Sequence, residues 1–257
     1  MIYITGDCHA DWSRFSTQAF PEQSEMSRED YVIVCGDFGI WHDTPTEKWW
    51  LEWLSKKNFT ILFVDGNHEN FDRLYNEFEI VDFHGGKAHK IRHNIYHLMR
   101  GYIFDLCGKS IFAFGGASSH DIQDGILDRN NFEDEAIFRN TIRRWNADNK
   151  MFRVNHESWW KEELPSQAEI HTAISNLRDR NNRVDIIVSH CCPQTIANII
   201  IANTPYDTGI QSDKLTEFFD QLCDTVEFDK WYFGHYHNNA DITRRFTLLY
   251  KQIVRVV

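Results

Sequence analysis

Five apolar runs in this chain stop at the same kinds of residue. They are "MIYITGDCH" ending at His9, "YVIVCGD" ending at Asp37, "FTILFVDGNHE" passing through Asn67 and His68 to Glu69, "VDIIVSH" ending at His190, and "KWYFGHYH" passing through His235 to His237. Short apolar runs bounded by Gly read as buried strands, yet a strand needs no His, Asp or Asn at its end in order to fold. Between the runs lie stretches of helical period. "TEKWWLEWLSKK" places Trp50, Leu51 and Leu54 on one face. "SQAEIHTAISNLRDR", with Ser166 as N-cap, and "DKLTEFFDQLC" read as helices, "ADWSRFSTQAF" as a further one and "ENFDRLYNEF" as a short one. Strand–helix alternation of this kind predicts an α/β fold with a largely parallel sheet.

From Glu79 to Ala117 the pattern changes to short strands joined by the turn signals "HGGK" and "CGKS". Residues 118–165 are polar, with one helix expected near "EDEAIFRNTIRRW". No Pro/Gly/Ser-rich linker marks a boundary. The organisation expected is therefore a single domain over 1–257 with a polar insertion at about 118–165 near the mouth of a site.

Composition narrows the classes of function. The chain is 42% hydrophobic and 14% aromatic over 257 residues, enough for a sizeable core. A formal charge of -11 repels nucleic acid and anionic membrane at long range. No run reaches the roughly 20 apolar residues of a membrane span, and the N-terminus has no basic segment followed by an apolar stretch. The six Cys form no CxxC, and Cys191 and Cys192 are adjacent, which reads as reduced thiols in a cytoplasm.

The chemistry lies in the strand ends. In α/β sheets, ligands collect beyond the carboxyl ends of the strands. Asp7, His9, Asp37, Asn67, His68, His190, His235 and His237 all sit at such ends. Asp7 and His9 are two apart, as are His235 and His237, and in an extended segment such pairs point to one side. Imidazole, carboxylate and one amide oxygen suit first-row divalent metals and not an all-oxygen calcium site. These candidates exceed the needs of one ion and point to two, which at roughly 3.5–4 Å apart clamp both oxygens of a phosphoryl displacement. Two divalent ions set against two carboxylates and a hydroxide leave a net positive pocket in an acidic protein, a site for a phosphate ester.

Taken in order, "GDCH", "GDFG", "GNHE", "SH" before "CCP", and "GHYH" resemble the five signature blocks of calcineurin-like metallophosphoesterases, across residues 6–237. The resemblance implies a four-layer α-β-β-α sandwich of two mixed sheets flanked by helices, and hydrolysis of a phosphate mono- or diester. It implies a first metal on Asp7, His9 and His237, a second on Asn67, His190 and His235, and Asp37 bridging both. A metal-bridging hydroxide would attack in line, and His68 would assist the leaving group rather than ligate. Glu69 would orient an imidazole. With a His on each ion, Mn and Fe are favoured, with Zn and Ni open.

The second block departs after its first residues. Gly39, Ile40 and Trp41 stand where the protein serine/threonine phosphatase branch has an arginine, so phosphoprotein specificity does not carry over. "GGASSHD" and "NHESWWKEELPS" resemble a bacterial and phage subgroup of small metallophosphoesterases. Gly115 and Gly116 are candidates to bring backbone N–H groups to a phosphate, and Arg129 to supply a fixed charge, against the alternative of a surface ion pair. Trp159 and Trp160 are either ring-stacking residues or core, while Trp49, Trp50 and Trp53 read as core. His120 lies near the expected mouth. His42, His84, His89, His93, His97, His156 and His171 are expected at the surface or in turns. The partner class is a small phosphorylated substrate, a nucleotide or a nucleic-acid end. A metal-binding, non-catalytic interaction scaffold on the same fold is the alternative.

Overall fold

The computed structural model describes residues 1–202 and 212–257. Along the chain run β1 (Ile2–Thr5), β2 (Tyr31–Val34), α1 (Pro45–Ser55), β3 (Thr60–Phe63), α2 (Phe71–Asn76), β4 (Glu79–Phe83), β5 (Gly86–Arg92), β6 (Ile95–Leu98), β7 (Tyr102–Leu106) and β8 (Lys109–Phe114). Then come β9 (Gly125–Leu127), α3 (Glu135–Ala147), β10 (Phe152–Val154), α4 (Gln167–Asp179), β11 (Arg183–Ser189), α5 (Gln194–Ala202), α6 (Lys214–Thr225), β12 (Glu227–Phe233), β13 (Ala240–Asp241), β14 (Phe246–Leu248) and β15 (Ile253–Arg255).

Two sheets form the frame. One has the order β15-β1-β2-β3-β6-β5-β4, and the other β13-β14-β12-β11-β8-β7. The strands that carry the sequence blocks pair in parallel: β1 with β2, β2 with β3, and β11 with β12. Both sheets are mixed, because hairpins such as β4–β5 and β7–β8 add antiparallel edges.

Side-chain alternation explains why the sheets stack. Ile2, Ile4, Ile33, Leu62 and Val64 point inward and meet Phe104, Ile111, Ala113, Ile186 and Val188 from the other sheet in one buried cluster. The alternate residues Val32, Val34, Ile61 and Phe63 point outward and are covered by Leu51 and Leu54 of α1 and Phe71 and Leu74 of α2. Phe112, Phe114, Ile187 and Trp231 do the same on the far sheet, under Ala173 and Leu177 of α4 and Leu215 and Phe219 of α6. Strands covered on both faces must be apolar throughout, which is why these runs do not alternate with polar residues. Each fully buried aliphatic or aromatic side chain contributes about 1.5–3 kcal/mol relative to exposure. The result is the expected four-layer α-β-β-α sandwich.

The helices start where their caps allow. Thr44 accepts from the Glu47 amide ahead of Pro45 in α1, and Ser166 and Glu169 form a reciprocal capping box on α4. "ADWSRFSTQAF" does not become a helix; it makes only a short 3-10 turn at Ser13–Phe15. Trp12, Phe15 and Phe20 are anchored in the core instead. The amide of Gln23 donates to the carbonyls of Phe15, Ser16 and Phe20, satisfying backbone that a helix would have satisfied itself. Trp49 is also corrected: at 60% exposed it lies outside the core.

Residues 118–165 hold β9, α3 and β10. The two strands pair in parallel, and Leu127, Phe138 and Val154 form a small apolar cluster of their own.

Candidate metal centre

The sequence blocks all leave their strands at the carboxyl end. Asp7 and His9 follow β1, Asp37 follows β2, Asn67 and His68 follow β3, His190 follows β11, and His235 and His237 follow β12. The expectation that i and i+2 converge through extended backbone is not how convergence arises. His9 (φ 47), Asp37 (φ 48), His235 (φ 69) and His237 (φ 48) all lie in the left-handed region. Non-glycine residues there are uncommon and collect where function requires them.

Backbone hydrogen bonds tie the loops together. The amides of Cys8 and His9 donate to the Asp37 carbonyl at 3.2 and 2.7 Å. The His235 amide donates to both carboxylate oxygens of Asp7, at 3.0 and 3.1 Å. The His68 amide donates to Asp37 Oδ1 at 2.9 Å. Arg14 closes the first loop from outside by donating to the carbonyls of Gly6, Asp7 and Tyr250. The glycines are placed by space: a Cβ at Gly66 would stand 2.0 Å from Asp37 Oδ1, and one at Gly234 would stand 2.0 Å from Asp7 Oδ1. Gly234→Ala therefore displaces the Asp7 carboxylate. The variant is expected to fold and yet take up less metal than wild type, as read by elemental analysis after reconstitution.

Two carboxylates lie at the centre, Asp7 at 0% and Asp37 at 1% exposure. Imidazole nitrogens surround them. His237 Nε2 is 3.2 Å and His9 Nε2 3.6 Å from Asp7 Oδ2. His9 Nε2 and His237 Nε2 face each other at 2.9 Å. His190 Nε2 is 3.4 Å from Asp37 Oδ2 and 3.2 Å from Asn67 Oδ1. Its Nδ1 donates to the Cys35 carbonyl at 2.7 Å, which turns Nε2 toward the carboxylates. Two groups have their donor atoms close enough to share an ion: Asp7, His9 and His237, and Asp7, Asp37 and His190. Asn67 is oriented as a ligand would be, since its Nδ2 donates to Ser119 Oγ at 3.3 Å and leaves Oδ1 facing inward. The His235 ring packs 4.9 Å from that of His190, centroid to centroid.

No Lys or Arg nitrogen of the described residues lies within 4.0 Å of either central carboxylate. Burial works to raise the pKa of both Asp7 and Asp37, and the charge of His190 outweighs it, holding both well below the usual carboxylate range. Burial likewise opposes charge on His190, but Asp37 and Asp7 push its pKa up to about 10. His235, buried beside His190, is pushed down to about 3. Buried carboxylates with no Lys or Arg partner among the described residues, ringed by imidazole nitrogens and an amide oxygen, fit divalent first-row ions.

His68 sits at the rim. Burial lowers its pKa to about 4, with Asp37 opposing and Arg153 assisting. The guanidinium of Arg153 reaches its ring: Nη1 is 3.2 Å from Nδ1 and Nη2 is 3.4 Å from Nε2.

Several expected substrate or support residues are elsewhere. Glu69 orients no imidazole; it accepts from the Phe38 amide at 2.7 Å and so fixes the backbone after Asp37. The Gly116 amide is already donated to the Asp65 carbonyl at 2.8 Å and is not free for a phosphate. Arg129 is bound to Glu135 and to the Phe132 carbonyl, as a surface ion pair. Trp160 is 4% exposed and packs in the core, with its indole N–H on Asp72, though it also borders a small cavity of about 110 Å³ with His68 and Arg153. His89 and His97, expected at the surface, are buried and bonded to each other at 2.9 Å, with His97 on Asp65. His120 and Trp159, by contrast, line a cavity of about 390 Å³ together with Ser118, Ser119, Tyr236 and His235. Sequence reasoning missed Arg153, its partner Asp121, and Glu163, which holds Ser119 against Asn67. Nothing in "MFRVNH" distinguishes Arg153 from an exposed strand residue.

A two-sheet α/β sandwich with Asp, His and Asn gathered at its strand ends defines a candidate metal-binding phosphoester-processing protein. The family model described as calcineurin-like phosphoesterase matches residues 1–239, and the chain belongs to that family. Among solved structures it is similar to a phosphopantetheinyl hydrolase from Mycobacterium tuberculosis, at 16% identity and a TM-score of 0.39, over 97% of this chain and 89% of that one. No curated protein matches it. Among the described residues no helix is long and apolar enough to cross a membrane.

Proposed function

We propose that this chain hydrolyses a phosphate mono- or diester with two divalent ions held by Asp7, His9, Asp37, Asn67, His190, His235 and His237, with His68 assisting the leaving group. The observation that carries this reading is the pair of buried carboxylates whose only nearby charge partners among the described residues are imidazoles. Mn or Fe suits the mixed nitrogen and oxygen donors, with Zn and Ni as further candidates. When bound, such ions supply an activated water and neutralise phosphate charge. The residues supply the rest. Asp7 is held by the His235 amide and Asp37 by the His68 amide, so both carboxylates are oriented before any ligand arrives. His68 stands beside the centre, its ring 5.4 Å from that of His9, where it can donate a hydrogen bond to the departing oxygen.

The cavity beside His235 supports a small substrate. His120, Trp159 and Tyr236 contribute rings to its wall, and no Lys or Arg is among the described lining residues. Such a wall suits an uncharged, ring-bearing group such as a nucleoside better than a long polyanion, which the -11 charge also disfavours. The test is to strip metals, restore Mn, and compare p-nitrophenyl phosphate with bis-p-nitrophenyl phosphate. Metal-dependent turnover of either supports the reading, and the preferred one separates monoester from diester chemistry. Absence of both turnover and bound metal would leave a non-catalytic scaffold.

A further inference from the structure

We propose that Arg153 is the positioning residue for His68, carried to the site by residues 118–165 and acting on the ring rather than on the phosphate. The inference rests on the hydrolytic reading above. Two nitrogens of one guanidinium approach both ring nitrogens of His68, at 3.2 and 3.4 Å. The lone-pair directions of the two ring nitrogens diverge, so one planar fork cannot meet both edge-on. The fork therefore approaches from outside the plane of the imidazole with its N–H groups aimed at the two ring nitrogens, an arrangement open to Arg and not to Lys.

Arg153 is itself held. Its Nε donates to Asp121 at 2.8 and 3.0 Å, its Nη2 to Asp121 at 2.7 Å, and its Nη1 to the Ser158 carbonyl at 3.0 Å. Asp121 pairs with that charge and fixes the plane of the guanidinium. Arg153 lies on β10, and the next residue, Val154, is anchored in the apolar cluster with Leu127 and Phe138. His68 has its backbone fixed by Asp37, and among the described residues its ring has no hydrogen-bond partner besides Arg153. Two restraints thus set one imidazole: Asp37 places the Cα, and Arg153 sets the plane. An N–H held at one angle meets the leaving oxygen without losing orientational freedom at the moment of reaction.

This role predicts a dependence on the leaving group. Esters of an acidic phenol need little help, whereas esters of an alkyl alcohol need the imidazole N–H. In the Mn-loaded protein, Arg153→Ala is expected to cut kcat on an alkyl phosphate ester by about 100-fold, the low end of what positioned acid–base groups contribute. Its effect on the p-nitrophenyl ester is expected to be under about tenfold, with KM unchanged. Arg153→Lys should not restore the alkyl activity, and in a His68→Ala background Arg153→Ala should cost nothing more. In the metal-stripped protein the melting shifts of the two single variants should likewise exceed, in sum, that of the double variant. Equal losses on both esters, a raised KM, rescue by Lys, or full additivity with His68→Ala would overturn the proposal and assign Arg153 to the phosphate or to the fold. Wild-type protein that binds metal and hydrolyses neither ester would instead overturn the hydrolytic reading on which the proposal stands.

Discussion

Asp37→Asn is expected to reduce metal-dependent turnover by about a thousandfold or more and to abolish the rise in melting temperature that added Mn gives the wild type. Asp37 combines several roles in one side chain. Its Oδ2 lies 3.4 Å from His190 Nε2 and 3.7 Å from His9 Nε2, between the two groups of donors. Its Oδ1 accepts the His68 amide, and its own carbonyl accepts the amides of Cys8 and His9. The amide of Asn keeps the shape, and the backbone carbonyl is untouched, so the loop survives. What is lost is one of the two central negative charges, which leaves Asp7 as the only carboxylate among the described residues of the two donor groups. Losing roughly 4 kcal/mol of transition-state stabilisation amounts to about three factors of ten, at about 1.4 kcal/mol each. A ligand that binds only the folded state raises its stability in proportion to the logarithm of ligand concentration over Kd. The metal-dependent melting shift therefore reports binding independently of turnover. A variant that keeps the shift and the activity would remove Asp37 from the centre.

The second large effect is on stability. Arg100→Ala is expected to destabilise the fold by about 3–5 kcal/mol, the cost of leaving a buried charge without its partner. Asp65 is 0% exposed, and its carboxylate is held by Arg100 Nε at 2.9 Å and by His97 Nε2 at 3.0 Å. Arg100 also donates to the carbonyls of Glu162 and Glu163. Asp65 begins the turn that delivers Gly66, Asn67 and His68, and its carbonyl receives the Gly116 amide. The loss would be read by urea unfolding, or as a fall of roughly 10 °C in melting temperature for a chain of this size. Its sign with pH is defined. Burial works to raise the pKa of Asp65, and Arg100 outweighs it, so the wild-type carboxyl lies well below the usual range. The wild type holds that stability above the unfolded pKa of about 4 and loses it as pH falls further. Without Arg100, burial prevails and the carboxyl takes up its proton earlier in the folded state. The gap between variant and wild type should therefore narrow in acid; a gap that stays constant would show that the charge of Asp65 is not its source.

The five strand-end blocks were legible because each couples a local signal, an apolar run, to residues that the run does not need. The two-sheet frame followed from the same runs and from the resemblance they carry. What was not legible depended on distance or on backbone conformation. Arg153 meets His68 across 85 positions, through a short strand pair that no periodicity announces. Gly116 has the sequence setting of a phosphate-binding glycine, yet its amide donates to the carbonyl of Asp65, 51 positions earlier. "ADWSRFSTQAF" has a helix-like spacing of rings, but Gln23 satisfies the backbone with its side chain, and that exchange has no sequence signature. The inward turn of His9 and His237 rests on left-handed backbone, which an alternation argument for strands misses.

That backbone also bears on how such a site could decay. An L-residue in the left-handed region costs about 1–2 kcal/mol that glycine would not. His9, Asp37, His235 and His237 all carry that cost. Mutation to glycine at any of them would relax the local chain while removing a donor. Under weakened selection for chemistry, that strain would favour glycine at these four positions, offset at Asp37 by loss of the acceptor for the His68 amide. A lineage that kept the sandwich and abandoned its reaction would carry the record there, as glycines where histidine and aspartate now stand.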